Sequence, residues 1–203
     1  AIRLDVNGSP LSGAYTSRLQ GSDLVSNPLS ISNRTSDPLT AVVTTLASPR
    51  DPLPAGGNGF EIKRTFYNPD GTEADMNAVR QNQRFVVVLE INELNGWPSR
   101  ILVSDLLPGG FEIDNPRLVK SAELEGFESL GEVETAHSEF RDDRFVSAFN
   151  RSSGDDRSFA IAYVVRAVTP GTYTLPAASV EDMYRPQFAA RTATGFLQIG
   201  KAE

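Results

Sequence analysis

The stretch that decides the fold is Arg84-Phe85-Val86-Val87-Val88-Leu89-Glu90-Ile91-Asn92. Successive side chains of an extended chain point to opposite faces. One face would carry Phe85, Val87, Leu89 and Ile91, and the other Val86 and Val88. A strand that is apolar on both faces lies deep in a sheet, where β-branched and aromatic residues pack well. We therefore predict a central β-strand over 84–92.

A second stretch, 158–168, has the same two-sided character. Phe159, Ile161, Tyr163 and Val165 alternate along it with Ala160, Ala162 and Val164. Two such strands indicate a β-sandwich, whose inner sheet faces form one core. The core is predicted to include Phe85, Val87, Leu89, Ile161, Tyr163 and Val165.

The other apolar runs are short and are separated by turn residues, since the 13 prolines and 16 glycines fall between them. They predict further strands at 2–6, 29–33, 39–46, 61–67, 100–107, 111–113, 173–175 and 192–199. A hairpin is predicted at Asn68-Pro69-Asp70-Gly71, because proline and glycine occupy positions that suit a type I turn. Helical signals are limited to one turn over 21–25, capped by Ser22, and a short candidate over 74–79. The predicted fold class is all-β.

A segment rich in proline and glycine, 48–59, predicts a domain boundary near Gly57. Residues 58–203 are enough for an antiparallel β-sandwich. Residues 1–57 are too few for a separate core and form a smaller β-rich segment. We expect them to belong to a domain completed elsewhere or to pack on the larger one. Their unpaired strand edge should then be covered by the larger domain or by another copy.

The charge balance excludes several classes of partner. Lys and Arg number 19 against 26 Asp and Glu, a net charge of −7, which disfavours binding to nucleic acid or anionic membranes. No apolar stretch approaches the roughly 20 residues of a membrane span. The chain has no cysteine, so disulfides, thiolate metal sites and cysteine nucleophiles are excluded. We expect no cofactor, no metal and no catalytic residue.

Two features resemble catalytic or metal-binding groups only superficially. The single histidine, His137, has Ser138 and the carboxylates of Glu134 and Glu139 nearby, but neighbours along a strand point to opposite faces and do not have triad geometry. The carboxylate pairs 142–143 and 155–156 lack the spacing of a calcium loop. Arginines flank both pairs and predict local ion pairing. These arginines are Arg141, Arg144 and Arg157.

The segment 176–186 places Met183 and Tyr184 in a polar stretch between two strands. An exposed Met-Tyr pair at a loop tip can fill a hydrophobic pocket on a partner. The same pair also suits an ordinary corner of a sandwich with Tyr184 folded inward. Spacing leaves both interpretations open.

Five segments, in order along about 60–199, resemble the C-terminal end of bacterial alpha-2-macroglobulins. They are Gln81-Asn82-Gln83-Arg84-Phe85-Val86-Val87-Val88-Leu89, residues 107–116, Phe140-Arg141-Asp142-Asp143-Arg144-Phe145, residues 163–173, and Val180-Glu181-Asp182-Met183-Tyr184-Arg185-Pro186. The stretch before them, with Pro52-Leu53-Pro54, resembles the chain that returns from the thioester domain of this family. The resemblance implies a macroglobulin-like sandwich and, in residues 1–57, part of a domain interrupted by the thioester domain.

The resemblance also implies a function. Family members are periplasmic protease traps in which macroglobulin domains surround a thioester domain, and a protease that cuts a bait region is bound covalently. The implied partners are the thioester domain, the other macroglobulin domains and the target proteases. The implied location is the periplasm, with a tether to the inner membrane through an N-terminus that this sequence does not include. The family's Cys-x-Glu-Gln motif is absent here, because the chain has no cysteine.

The final domain of the family acts as a lid that keeps water and amines from the thioester. By motif, Met183 and Tyr184 would supply a dry contact, with Glu181, Asp182 and Arg185 as its polar rim. The alternative is a free-standing adhesion or carbohydrate-binding sandwich, which a line of exposed aromatic residues would favour. Trp97, Tyr67 and Tyr173 are too scattered along the chain to form that line. A hydrolase is a third hypothesis, disfavoured because no serine lies in a G-x-S-x-G turn.

Overall fold

The computed structural model describes residues 2–46, 52–114 and 134–202, and most of their regular structure is β-sheet. The chain divides into two compact units, Ala1–Ser48 and Pro49–Glu203. The predicted all-β class, with antiparallel sheets and a smaller β-rich segment first, is confirmed.

Within residues 2–46, the first unit holds a small antiparallel sheet and one short helix. Its elements are β1 (Arg3–Val6), β2 (Ser9–Ser12), α1 (Gly21–Ser26) and β3 (Ile31–Asn33), with the strand order β2-β1-β3. Asn7 and Gly8 both have positive φ, 50° and 82°, as the tight β1–β2 hairpin requires. The helical turn is where the sequence predicts it, but its N-cap residue is Gln20 rather than Ser22.

Two predictions of local structure are wrong. Residues 39–46 form no strand, and Val42 and Val43 are almost fully exposed. Alternating apolar residues stabilise a strand only against a neighbouring strand, and none pairs with this segment in the described part of the chain. Residues 74–79 form turns instead of a helix, because the Asp75 carboxylate accepts a hydrogen bond from the Asn77 N–H (2.9 Å), a local bond that competes with helix formation.

The described part of the second unit holds twelve strands. They are β4 (Gly56–Asn58), β5 (Phe60–Tyr67), β6 (Arg84–Glu93), β7 (Ser99–Leu106), β8 (Phe111–Ile113), β9 (His137–Arg141), β10 (Arg144–Arg151), β11 (Ser158–Ala167), β12 (Gly171–Leu175), β13 (Ala178–Asp182), β14 (Ala189–Arg191) and β15 (Gly195–Ile199). One sheet has the order β4-β14-β13-β7-β10-β9, a second has the order β5-β6-β11-β8, and β12 pairs with β15. Every pairing between these strands is antiparallel.

The second unit begins earlier than the boundary that the sequence suggests near Gly57. Gly57 lies within β4 and pairs with Ala190 on β14. A side chain at Gly57 would place its Cβ 2.5 Å from the Phe60 carbonyl oxygen and 2.6 Å from the Ala190 Cβ, so only glycine fits. The glycines that suggested a linker therefore allow close strand packing in the larger unit.

The core has the composition that the two central strands predict. β6 and β11 pair along their length, with Val87 opposite Tyr163, and all six predicted core side chains are buried. The Phe145 ring on β10 stacks on Tyr163 at 4.7 Å between ring centroids. The opposite face of the same strands is also buried, at Val86, Val88, Ala162 and Val164. The two-sided apolar pattern is thus confirmed.

Candidate partner-contact site at the β13–β14 turn

Met183 and Tyr184 lie in the turn between β13 and β14, and both side chains face solvent. Met183 is 53% exposed and Tyr184 is 79% exposed. Of the two interpretations of this segment, the structure therefore agrees with an outward-facing pair and not with an inward-folded tyrosine. A thioether and a phenol ring side by side offer adaptable apolar contact area with one polar tip.

The backbone of this turn is closed by its own hydrogen bonds. The Asp182 N–H donates to the Phe188 carbonyl (3.0 Å), the Arg185 N–H to the Asp182 carbonyl (3.1 Å), and the Phe188 N–H to the Arg185 carbonyl (2.9 Å). The Met183 N–H donates to the Arg100 carbonyl on β7 (2.8 Å). The tip that carries the exposed pair is therefore tied to the sheet beneath it.

Asp182 does not lie on a solvent-facing rim as the family motif suggests. Its side chain is buried, and its Oδ1 accepts hydrogen bonds from the N–H groups of Tyr184 (3.0 Å) and Arg185 (3.2 Å). A carboxylate in this position satisfies turn donors that would otherwise have no partner. Asp182 therefore shapes the turn from inside, whereas Glu181 is exposed at the end of β13.

Arg185 links the turn to the loop between β6 and β7. Its Nε donates to Asp182 Oδ2 (2.7 Å), and its Nη2 lies 2.5 Å from the same oxygen. The Nη2 also donates to the Pro98 carbonyl (2.7 Å), and the guanidinium carbon lies 5.0 Å from the centre of the Trp97 ring. Trp97 in turn packs against Phe188, with 5.1 Å between ring centroids. Periodicity in the sequence carries no sign of this cluster, because its contacts join two loops.

A separate group of polar side chains is enclosed in the core. Arg64 on β5 donates from Nη1 to Asp105 Oδ1 on β7 (2.6 Å) and from Nη2 to the Pro176 carbonyl (2.8 Å). The Tyr163 hydroxyl donates to Asp105 Oδ2 (2.7 Å). All three side chains are at most 5% exposed, so no substrate reaches them and they link the two sheets instead. One feature of the sequence indicates that Asp105 is buried: it points to the same face of β7 as the buried Ile101 and Val103.

Burial raises the pKa of the Asp105 carboxyl above its usual 3.8, against the opposing effects of Arg64 and Tyr163. The folded chain then keeps this proton at a pH where the unfolded chain has lost it. The contribution of Asp105 to the free energy of unfolding should therefore fall as pH rises from about 3.8 through the folded pKa, and stay constant above it.

We expect a carbon-13 NMR titration to place the Asp105 midpoint above 3.8. The internal control is Asp143, whose hydrogen bond from Arg144 lowers its pKa, so its midpoint should lie below 3.8. An Asp105 midpoint below 3.8 would show that the guanidinium and hydroxyl outweigh burial.

The remaining candidate residues occupy exposed positions. His137 is exposed on β9. Asp143 pairs with Arg144 (2.7 Å), which confirms the predicted ion pairing at that position. The partner of Asp155 is Arg151 (3.8 Å) and not the predicted Arg157, and Arg141 pairs with Glu139 (2.6 Å). Within 2–46, 52–114 and 134–202, no group of three histidine, aspartate or glutamate side chains is placed to hold a metal ion. No helix of the described chain has the length and apolar character to cross a membrane.

Comparison with known proteins identifies the family. Residues 59–187 match the family described as the bacterial alpha-2-macroglobulin MG10 domain. The chain belongs to the bacterial alpha-2-macroglobulins. Alpha-2-macroglobulin of Escherichia coli is 36% identical over 198 residues, which cover 92% of this chain and 12% of the relative. That of Xylella fastidiosa is 34% identical over 157 residues, covering 73% and 9%. The chain thus spans about a tenth of the length of these alpha-2-macroglobulins.

Solved alpha-2-macroglobulin structures extend the match to nearly the whole chain. A native Escherichia coli structure running from the MG7 domain to the C-terminus is 28% identical, with a TM-score of 0.74, and covers 98% of this chain and 33% of that chain. A Salmonella alpha-2-macroglobulin reacted with methylamine is also 28% identical, with a TM-score of 0.76, covering 98% and 13%. The recognition of an alpha-2-macroglobulin C-terminal region from sequence is confirmed.

Proposed function

We propose that this chain is the non-catalytic C-terminal region of a periplasmic, protease-trapping alpha-2-macroglobulin, in which Met183 and Tyr184 pack on the thioester region and shield it. The observation that carries the proposal is a turn with a fixed backbone whose two large side chains face solvent. A side chain that contributes to its own core would be buried. An exposed pair on a fixed support is suited to contact another surface.

The physical requirement of a shield is the exclusion of water and amines from a reactive bond. Packing a large apolar side chain against a partner contributes about 1.5–3 kcal/mol when it becomes fully buried. Tyr184 has most of its surface available for this purpose, and Met183 adds a flexible side chain that adapts to an irregular pocket. In this proposal Glu181 forms the polar edge of the contact, whereas Asp182 and Arg185 hold the turn.

Residues 1–57 serve in this proposal as the chain that returns from the thioester domain into the last macroglobulin domain. Support comes from the described residues of the first unit: their three short strands, with Leu11 and Ile31 exposed, bury too little apolar surface for independent stability. The remaining strands would come from chain beyond this sequence. The target proteases and the periplasmic location rest on the family alone.

The test is made in the full-length protein that contains this region. We expect Tyr184→Ala to speed methylamine-dependent release of the thioester thiol, followed with a thiol reagent. Losing about 1.5–3 kcal/mol of contact corresponds to an acceleration of about 10–150-fold. The matched control is Phe196→Ala, because Phe196 is also an aromatic residue, 71% exposed, but lies on β15. It should react at the wild-type rate.

The 203-residue chain supplies the second half of the test. Tyr184→Ala should leave its melting temperature within about 1–2 °C of wild type, because an exposed side chain contributes little to its own fold. A large loss of stability would assign Tyr184 to the core. In the full-length protein, a wild-type methylamine rate for Tyr184→Ala, or no thiol released even from the wild type, would overturn the shielding role.

A further inference from the structure

The guanidinium of Arg185 connects two loops that are far apart in sequence. It contacts the Asp182 carboxylate within the turn, and the Pro98 carbonyl and Trp97 ring in the β6–β7 loop. The group is thus held from three sides by groups of different chemistry: an anion, a backbone acceptor and an aromatic face. A planar guanidinium satisfies all three at once, which a lysine ammonium cannot do.

We propose that Arg185 is a positioning residue that fixes the turn so that Tyr184 meets its partner surface already in its docked geometry. This inference rests on the proposed shielding function. The side chain of Arg185 is about one-third exposed, and its partners are the Asp182 carboxylate at the end of β13 and two residues of the β6–β7 loop. The buried Asp182 carboxylate keeps the Tyr184 and Arg185 N–H groups as donors when the guanidinium is absent. The effect of Arg185 should therefore fall on the turn and not on the whole fold.

The contacts of Arg185 with Asp182, Pro98 and Trp97 form a clamp on the turn, and preorganisation is the physical reason that this clamp matters. A contact segment that is mobile before docking loses conformational freedom on docking, and that loss weakens the contact. The turn has few residues and one exposed aromatic tip, so its orientation sets how well that tip closes over a reactive bond. Fixing the turn from Trp97 and Pro98 makes the docked orientation the resting one.

Asp182 allows the clamp to be separated from the turn itself. Its Oδ1 serves the turn N–H groups, whereas its Oδ2 serves Arg185. Asp182→Asn keeps an oxygen for the turn but removes the charge that holds Arg185. Arg185→Met keeps much of the aliphatic stem but removes the guanidinium. Both variants should weaken the clamp while leaving the turn hydrogen bonds in place.

The experiment measures methylamine-dependent thiol release in full-length proteins. We expect Arg185→Met and Asp182→Asn each to accelerate release about 3–10-fold, less than Tyr184→Ala. Arg185→Lys should fail to restore the wild-type rate. The decisive variant is the double Arg185→Met, Tyr184→Ala, which should react no faster than Tyr184→Ala alone, because a residue that acts through Tyr184 has nothing left to position.

Trp97 is the only tryptophan of the chain and reports on the clamp directly. Its emission should shift to longer wavelength in Arg185→Met and remain unchanged in Tyr184→Ala. If Tyr184→Ala accelerates thiol release but Arg185→Met does not, or if the two effects multiply in the double variant, the positioning role is wrong and the shield stands. If Tyr184→Ala itself has no effect, the shield is wrong.

Discussion

Asp105→Ala is expected to remove about 3–5 kcal/mol from the free energy of unfolding of the 203-residue chain. The substitution leaves the Arg64 guanidinium buried without its anion and the Tyr163 hydroxyl without its acceptor. An unpaired charge in a water-free core costs far more than the ion pair contributes, because its hydration is not replaced. Chemical denaturation of wild type and variant measures the difference.

A matched control separates burial from charge. Asp143 also pairs with an arginine at 2.7 Å, but its pair is exposed, so Asp143→Ala should change the free energy of unfolding by less than about 0.5 kcal/mol. A second control replaces the whole group: the triple variant Arg64→Met, Asp105→Leu, Tyr163→Phe should regain most or all of the lost stability. Equal losses from Asp105→Ala and Asp143→Ala would contradict the prediction.

The two central strands of the core could be predicted from their own sequences, because a buried strand needs apolar side chains on both of its faces. β6 and β11 carry such side chains, so their burial can be predicted without knowing which other segments pack against them. Residues 39–46 have similar composition and yet form no strand. A strand exists only with a hydrogen-bonded neighbour, and a pattern read along one segment does not tell whether that neighbour is present.

The sequence motif identifies the residues of the candidate site but not the contacts that they make. The motif singled out Met183 and Tyr184, and the structure places both in solvent. The same motif placed Asp182 on the rim, whereas the fold buries it. The Asp182 carboxylate accepts hydrogen bonds from the turn and pairs with Arg185, which lies over the Trp97 ring. Trp97 is about 85 residues before Asp182, so the local sequence pattern does not indicate this connection. Two-loop contacts of this kind arise only when the sheets have brought the loops together.

The second large effect is expected at Glu93, the last residue of β6. Its Oε1 accepts a hydrogen bond from Arg151 Nε (2.8 Å), and its Oε2 accepts one from the Ser99 hydroxyl (3.1 Å). Arg151 also lies over the Phe159 ring, 4.7 Å from its centre. The hydrogen bond between Glu93 and Ser99 therefore joins the two ends of the β6–β7 loop, and both residues are buried.

Glu93→Ala should lower the free energy of unfolding by about 3 kcal/mol, because it removes the nearer of the two carboxylates that face the buried Arg151 and leaves only Asp155, at 3.8 Å. Glu90→Ala on the same strand is the matched control, since Glu90 pairs with Lys63 in solvent at 3.4 Å and its loss should cost less than about 0.5 kcal/mol. Glu93→Ala should also shift the Trp97 emission to longer wavelength in the folded state, because the loop it braces carries the ring that supports Arg185. A destabilised variant whose folded-state emission matches wild type would show that Glu93 does not hold the loop that carries Trp97.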